Sequence, residues 1–387
     1  MAFFSKGLEP MIYLDNSATT KPRKEVMDTF VKANEAFYAN PASLHGMGVE
    51  AERLLTGARQ QIGKLLLTEA ENIYFTSGGT ESNNMAIFGI ARANKKRGRH
   101  VMTSVIEHPS ILESFKQLER EGFEVDYLSV NRNGQVSLQE LESKLRQDTI
   151  LVSIMHVNNE IGTIQPIAEI AEVIHSHSRA YFHSDCVQSF GKLPVNFEGV
   201  GPDAITVSGH KINGLKGTGL LAFRHKIPFE PLLFGGGQES GMRSGTVSVP
   251  NAASLAKAMR LSVEENRSSN FQKWKKELIS FFSHYEFIRI ITPYESAPHI
   301  LSISFRGIKG EVLVNALERQ NIYVSTSSAC SSRNTKTSHV IGAIHMEDEF
   351  VNGVIRISFG LYTTDDDIED FKSAFLQAIS IIKGEHL

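Results

Sequence analysis

The sequence predicts an α/β protein with a large domain on a mostly parallel sheet covered by helices, followed by a smaller C-terminal α/β domain. Two observations carry this. From about residue 70, short apolar runs alternate with segments of helical periodicity, and strands alternating with helices imply a parallel sheet covered on both faces. The 387 residues also exceed what one ordinary core holds. A composition of 41% hydrophobic and 21% charged residues with net charge −3 is that of a globular chain, and it gives no reason to expect direct nucleic-acid binding. No apolar run approaches the roughly 18 residues of a membrane span. The N-terminus "MAFFSKGLEPM" lacks the features of a signal peptide. Met11 also fits a start codon, which leaves residues 1–10 of uncertain meaning. Two cysteines cannot make a disulfide framework, so a reducing cytoplasm is expected.

The elements follow in order. "NIYFTS" (72–77) reads as a strand and "ESNNMAIFGIARANKK" (81–96) as a helix. Strand "HVMTSV" (100–105) leads to the helix "SILESFKQLERE" (110–121), and "VDYLSV" (125–130) to "LQELESKLRQ" (138–147). "ILVSIMHV" (150–157) and "IAEIAEVIHS" (167–176) continue the alternation, and "AYFHSD" (180–185), "AITVSG" (204–209) and "GLLAFR" (219–224) add three strands. Residues 251–284 read as one long helical stretch. A second group follows: strand 299–305, helix 311–320, strand 354–360 and helix 367–384. The expected domains are 12–255 and 256–387.

Parallel sheets bind ligands at the carboxyl ends of their strands. In "FTSGGTESNN" (75–84), Gly78 and Gly79 allow close backbone approach, and the helix after Thr80 offers N–H groups to a phosphate. The segment lacks G-x-G-x-x-G, and no P-loop pattern occurs, which argues against NAD and P-loop nucleotides. "HSDCVQS" (183–189) places Asp185 just past an apolar strand, and "SGHKINGLKGTG" (208–219) places Lys211 likewise. Singly, Lys211 also fits a solvated loop lysine and Asp185 a helix N-cap. Together with the phosphate cradle they fit pyridoxal phosphate: the lysine forms a Schiff base, the acid holds the pyridine nitrogen protonated, and the helix end binds phosphate. No metal ligand set is read.

Nine segments then occur in family order: "YLDNSATT" (13–20), "NPASLH" (40–45), "FTSGGTESNN" (75–84), "EHPS" (107–110), "MHVNNEIG" (155–162), "SGHK" (208–211), "GGGQESGMRSGT" (235–246), "SSAC" (327–330) and "IRISFG" (355–360). On these the chain resembles the pyridoxal-phosphate-dependent cysteine desulfurases of the fold-type I, class V aminotransferase group, from Met11 to about residue 380. The resemblance implies conversion of L-cysteine to L-alanine by a homodimer. It assigns Lys211 as the cofactor lysine, Asp185 to the pyridine nitrogen, Gln188 to the phenolic oxygen and Asn159 to the same side of the ring. His108 would stack on the ring and move protons. Gly79, Thr80, Ser208 and His210 would bind phosphate, and Thr246 would reach the phosphate of the neighbouring subunit. The fork of Arg356 suits the substrate carboxylate.

"STSSACSSRNTKTS" (325–338) carries nine hydroxyl side chains around one thiol, Cys330. The resemblance implies that Cys330 takes the substrate sulfur as a persulfide on a solvated, mobile loop of the long-loop type. Arg333 and Lys336 would favour the thiolate. Many relatives have a glycine where this chain has Ser327 or Ser328. The other thiol, Cys186, reads as a small packed residue. Long-loop members that feed an iron–sulfur scaffold often carry a further C-terminal tail, whereas this sequence stops at "KGEHL". The expected acceptor is therefore a tRNA-thiolation enzyme. The alternatives are general iron–sulfur assembly, or a class V aminotransferase or selenocysteine lyase.

Overall fold

The computed structural model describes residues 11–326 and 338–384. Cys330, Arg333, Lys336, Ser327 and Ser328 lie outside the described residues. Along the chain run β1 (Ile12–Tyr13), α1 (Lys24–Ala36), α2 (Gly46–Leu66), β2 (Ile73–Thr76), α3 (Gly79–Asn94), β3 (His100–Ser104), α4 (Pro109–Arg120), β4 (Glu124–Leu128), α5 (Leu138–Lys144), β5 (Thr149–Ser153), α6 (Ile167–His177), β6 (Tyr181–Asp185), α7 (Phe197–Val200), β7 (Ala204–Ser208), β8 (Gly219–Phe223) and α8 (Val249–Glu264). Then come α9 (Ser268–Phe282), β9 (Ile288–Ile290), β10 (Ile300–Phe305), α10 (Gly310–Glu318), β11 (Ile322–Tyr323), β12 (Ser325–Thr326), α11 (His339–Ala343), β13 (Ile355–Ser358) and α12 (Asp365–Lys383). Among the described residues no helix is long and apolar enough to cross a membrane.

Contacts divide the chain into two units, one of residues 20–158 and 164–266, the other of residues 1–19, 159–163 and 267–387. This differs from a single division after residue 255. That position falls inside α8, which stays whole, and β1 pairs in parallel with β11, which ties residues 12–13 to the C-terminal segment.

The larger unit holds a seven-stranded sheet in the order β2-β8-β7-β6-β5-β3-β4. Strands β3 to β7 run parallel, and β8 runs antiparallel to both β7 and β2. The reversal at β8 has a simple cause. Only residues 209–218 join it to β7, too few for the crossover helix that a parallel partner needs. Side chains alternate between two cores, as the pleat requires. Tyr74, Leu221 and Phe223 pack with Met85, Ile87, Ile90 and Phe115 of α3 and α4. Ile73, Phe75, Leu220, Ile205 and Val207 pack on the other face with Leu55, Ile62, Leu255 and Met259 of α2 and α8.

The stretch 251–284 is two helices, not one, with a break over residues 265–267. "ENRSSN" supplies Asn and Ser, which favour caps and turns over helix interiors, and Glu265 leaves the helix to pair with Arg23 at 2.6 Å.

The smaller unit carries an antiparallel sheet in the order β12-β13-β10-β9. Its core combines aliphatic residues with an aromatic group that includes Phe271, Trp274, Phe282, Phe305, Phe371 and Phe375, with edge-to-face pairs such as Phe282–Phe375 at 5.2 Å. A capping box at Thr364 and Asp367 starts α12.

Where β2 meets β8, a Cβ on Gly219 would stand 2.6 Å from the Cα of Gly78. The atoms it would meet are all backbone, so they cannot yield cheaply. Gly219→Ala is expected to destabilise the protein by about 1–3 kcal/mol, read as a lower unfolding temperature; an unchanged melt contradicts this close approach.

Candidate active site

The carboxyl ends of β2, β6 and β7 converge on the start of α3. A Cβ on Gly79 would meet Val187 Cγ2 at 3.1 Å and Ser208 Cβ at 3.6 Å. The N-cap is Gly78, with φ +154° and no side-chain cap, so the first N–H groups of α3 keep capacity for an outside acceptor. Ser208 Oγ, 3.9 Å from where a Gly78 Cβ would stand, is buried and has no hydrogen-bond partner among the described residues. Two polar features thus converge with no protein acceptor between them among the described residues. Thr80, next along, is exposed. Glu81 closes the turn, accepting from Ser77 N–H at 2.7 Å and Arg243 Nε at 2.7 Å. Burial pushes its carboxyl up, but the bonds from Arg243 and Ser77 outweigh that and hold it below the usual range. Thr246 is exposed and shares a cavity of about 250 Å³ with Thr76, Ser77, Thr218 and Arg243.

Asp185 ends β6 and is 7% exposed. Its Oδ1 accepts from Val187 N–H at 2.9 Å and its Oδ2 from Asn83 Nδ2 at 2.7 Å. Gln188 is buried one turn further on. His108 is the N-cap of α4, and its Nδ1 accepts from Ser110 N–H at 3.2 Å. That bond fixes the tautomer: a neutral ring with Nδ1 as acceptor carries its proton on Nε2. Cys186 is fully buried, and burial followed by the Asp185 charge pushes its thiol up to about 12. A thiolate is therefore disfavoured there, as expected of a packed residue.

Lys211 lies on the short turn Gly209–Lys211 after β7. The turn is tied from two sides. Thr20 donates its N–H and Oγ1 to His210 O at 2.9 and 2.7 Å, and Lys192 Nζ donates to Lys211 O at 2.7 Å. Lys192 is pushed down to about 7 by burial and by the charge of Lys211. His210 is pushed down to about 4 by burial and then by Lys211, Lys216 and Lys192, so its ring is neutral at pH 7.

Asn159 and Arg356 belong to the smaller unit. Arg356, 3% exposed on β13, donates Nη2 to Asp15 Oδ1 and Nη1 to Asn159 O, both at 2.8 Å. Its Nε is buried without a partner among the described residues. Sequence reasoning missed Asp15, although "YLDNSATT" contained it. Pairing between residues 341 positions apart leaves no local signal.

Sequence reasoning also missed Glu107, the neighbour of His108. It is fully buried, accepting from Ser104 Oγ at 2.6 Å and Met155 N–H at 3.0 Å, and burial pushes its carboxyl up to about 8. In the unfolded chain it ionises near 4.5 while the folded protein keeps it protonated. Its contribution to stability is thus complete below about 4.5 and lost as pH rises towards 8. Glu107→Gln, which cannot ionise, is expected to unfold at a higher temperature relative to the parent as pH rises across that window. Parallel pH–stability curves for the two proteins contradict it.

Comparison with known proteins identifies the family. The Aminotransferase class-V profile matches residues 12–371. "Cysteine desulfurase IscS" of Dictyoglomus turgidum is 40% identical over 363 residues, 92% of this chain and 91% of that protein. A solved "NifS-like protein" is 38% identical with TM-score 0.91, over 96% of this chain and all of the other. "SspA in complex with cysteine" is 32% identical with TM-score 0.81, over 91% of this chain and all of the other. The chain belongs to the class-V aminotransferase family, among its pyridoxal-phosphate-dependent cysteine desulfurases.

Proposed function

We propose that this protein converts L-cysteine to L-alanine and leaves the substrate's sulfur as a persulfide on Cys330. The observation that carries this is the pairing of a buried carboxylate, Asp185, with the Lys211 turn at the ends of the adjacent parallel strands β6 and β7. Pyridoxal phosphate fits the residues present. The unpartnered, buried Ser208 Oγ beside the uncapped start of α3 suits its phosphate, together with Gly79, Thr80 and His210. Asp185 suits its ring nitrogen, because a buried carboxylate is stabilised by a cation. Gln188 and Asn159 would hold the ring's oxygen side, and Lys211 would hold the cofactor covalently. When bound, the cofactor withdraws electrons from the substrate's α-carbon.

The chain's own residues do the rest. Arg356 holds the substrate carboxylate, for which its unpartnered Nε offers a donor. His108, with its proton on Nε2, moves protons at the α-carbon and sulfur. Cys330 attacks the substrate sulfur. The carbon–sulfur bond breaks, the β-carbon gains a proton to become the methyl of alanine, and Cys330 keeps the sulfur as a persulfide. The working form is a homodimer in the cytoplasm, with the exposed Thr246 reaching the neighbouring subunit's phosphate. Sulfur passes to an acceptor protein. The proposed acceptor is a tRNA-thiolation enzyme, with an iron–sulfur scaffold as the alternative.

Lys211→Ala is expected to lose the visible absorbance of the bound cofactor and all turnover; wild-type consumption of cysteine by this variant contradicts the assignment. Cys330→Ser is expected to keep the absorbance but form no protein-bound persulfide. An aminotransferase would be indifferent to that change. Arg356→Ala is expected to raise KM for cysteine roughly ten- to a hundredfold, the loss of a charge-assisted hydrogen bond; an unchanged KM assigns the carboxylate to another group. Radioactive sulfur from cysteine, offered to both acceptors side by side, is expected to move to the thiolation enzyme. Transfer mainly to the scaffold contradicts that choice.

A further inference from the structure

Asn83 has no part in the mechanism above, yet its side chain bonds Asp185 directly and reaches His108 through Ser110. It lies on α3, 1% exposed. Its Nδ2 donates to Asp185 Oδ2 at 2.7 Å and to Ser110 Oγ at 2.9 Å. Its Oδ1 is buried with no partner among the described residues. The carboxylate dictates this orientation, since a turned amide would set Oδ1 against Asp185, acceptor against acceptor. Both amide hydrogens are thus committed. Ser110 Oγ receives one of them, and its own hydrogen is directed to His108 Nδ1, 2.8 Å away.

A buried, unpartnered carbonyl is costly. A leucine has the same branched shape without a polar atom to leave unpartnered, so shape alone does not account for an amide here. What the amide supplies is a pair of donors. Val187 N–H holds one oxygen of Asp185 and leaves the carboxylate free to turn about its Cβ–Cγ bond. The Asn83 bond to the second oxygen fixes its plane. On the other side, the amide hydrogen given to Ser110 Oγ sets the direction of that hydroxyl towards His108.

We propose that Asn83 is a positioning residue that ties Asp185 and, through Ser110, His108 into one hydrogen-bonded frame, fixing carboxylate and imidazole relative to each other before cofactor and substrate bind. This rests on the reading of Asp185 and His108 as cofactor-facing residues.

The test uses full-length Asn83→Leu, Ser110→Ala and Asp185→Ala. Pyridoxal phosphate is titrated into each, the visible band is recorded, histidine side-chain nitrogen signals are followed by NMR, and unfolding temperatures are measured. Asp185→Ala and Asn83→Leu are both expected to weaken cofactor binding about tenfold or more and to shift the band. Ser110→Ala leaves both anchors of Asp185 in place, so it is expected to bind within about twofold of the parent. It should nevertheless share with Asn83→Leu an altered His108 signal. A purely structural asparagine would lower the unfolding temperature and leave affinity, band and His108 signal as they were, and that result overturns the proposal. Parent-like binding by Asp185→Ala instead overturns the underlying reading of the site. If Asn83→Leu does not fold, Asn83→Ala carries the same expectation and the same refutation.

Discussion

A carboxylate taken out of water at the end of a parallel strand is the constraint on which this structure turns. Asp185 is charged chemistry in a buried place, and a buried charge persists only where hydrogen bonds and an opposite charge meet it. The fold supplies the bonds from two elements, the backbone after β6 and the side chain of Asn83 on α3. Because α3 starts where β2 ends, the same helix that steadies the carboxylate also presents its uncapped N-terminus beside Ser208. Acid and phosphate cradle are therefore not independent features. One helix sets the distance between them, and the backbone contact between Gly78 and Gly219 sets the seat of that helix.

The electrostatics nearby follow the same logic with the sign reversed. Lys192, Lys211 and His210 are gathered at the end of β7, and burial and mutual repulsion push both Lys192 and His210 down. An anionic cofactor would relieve that repulsion. Neutral buried groups complete the surroundings. Glu107 stays protonated, and His183 is pushed down to about 3 by burial while its ring bridges Ser153 and Thr206. Desolvation thus holds Glu107 and His183 neutral, while Glu81 at the start of α3 keeps its charge through its bonds from Arg243 and Ser77.

Much of this was legible in the sequence, for physical reasons. Strands β3, β5 and β7 are buried throughout and β6 at all but its first residue, and buried parallel strands read as continuous apolar runs. Asp185 and Lys211 stood out because each breaks such a run where a strand ends. The direction of β8 was hidden, since its composition matches that of the parallel strands, and only the ten-residue connection betrays the reversal. The break over residues 265–267 was overlooked for a similar reason: apolar periodicity resumes on both sides of it. Two-residue strands such as β1 carry too little pattern to be seen, and their pairing with residues 322–323 joins chain ends that no local window contains. Asn83 and Ser110 were in view inside quoted motifs, but their role depends on bonds between α3, α4 and β6 that only coordinates reveal.

The most direct test of this account is an experimental structure of the full chain with pyridoxal phosphate bound. The account predicts the ring nitrogen within hydrogen-bonding distance of Asp185, the phosphate at the start of α3 with Ser208 Oγ as a donor, and Lys211 joined to the cofactor. A phosphate bound elsewhere, with Ser208 Oγ still unpartnered and Asp185 facing no cation, would contradict it.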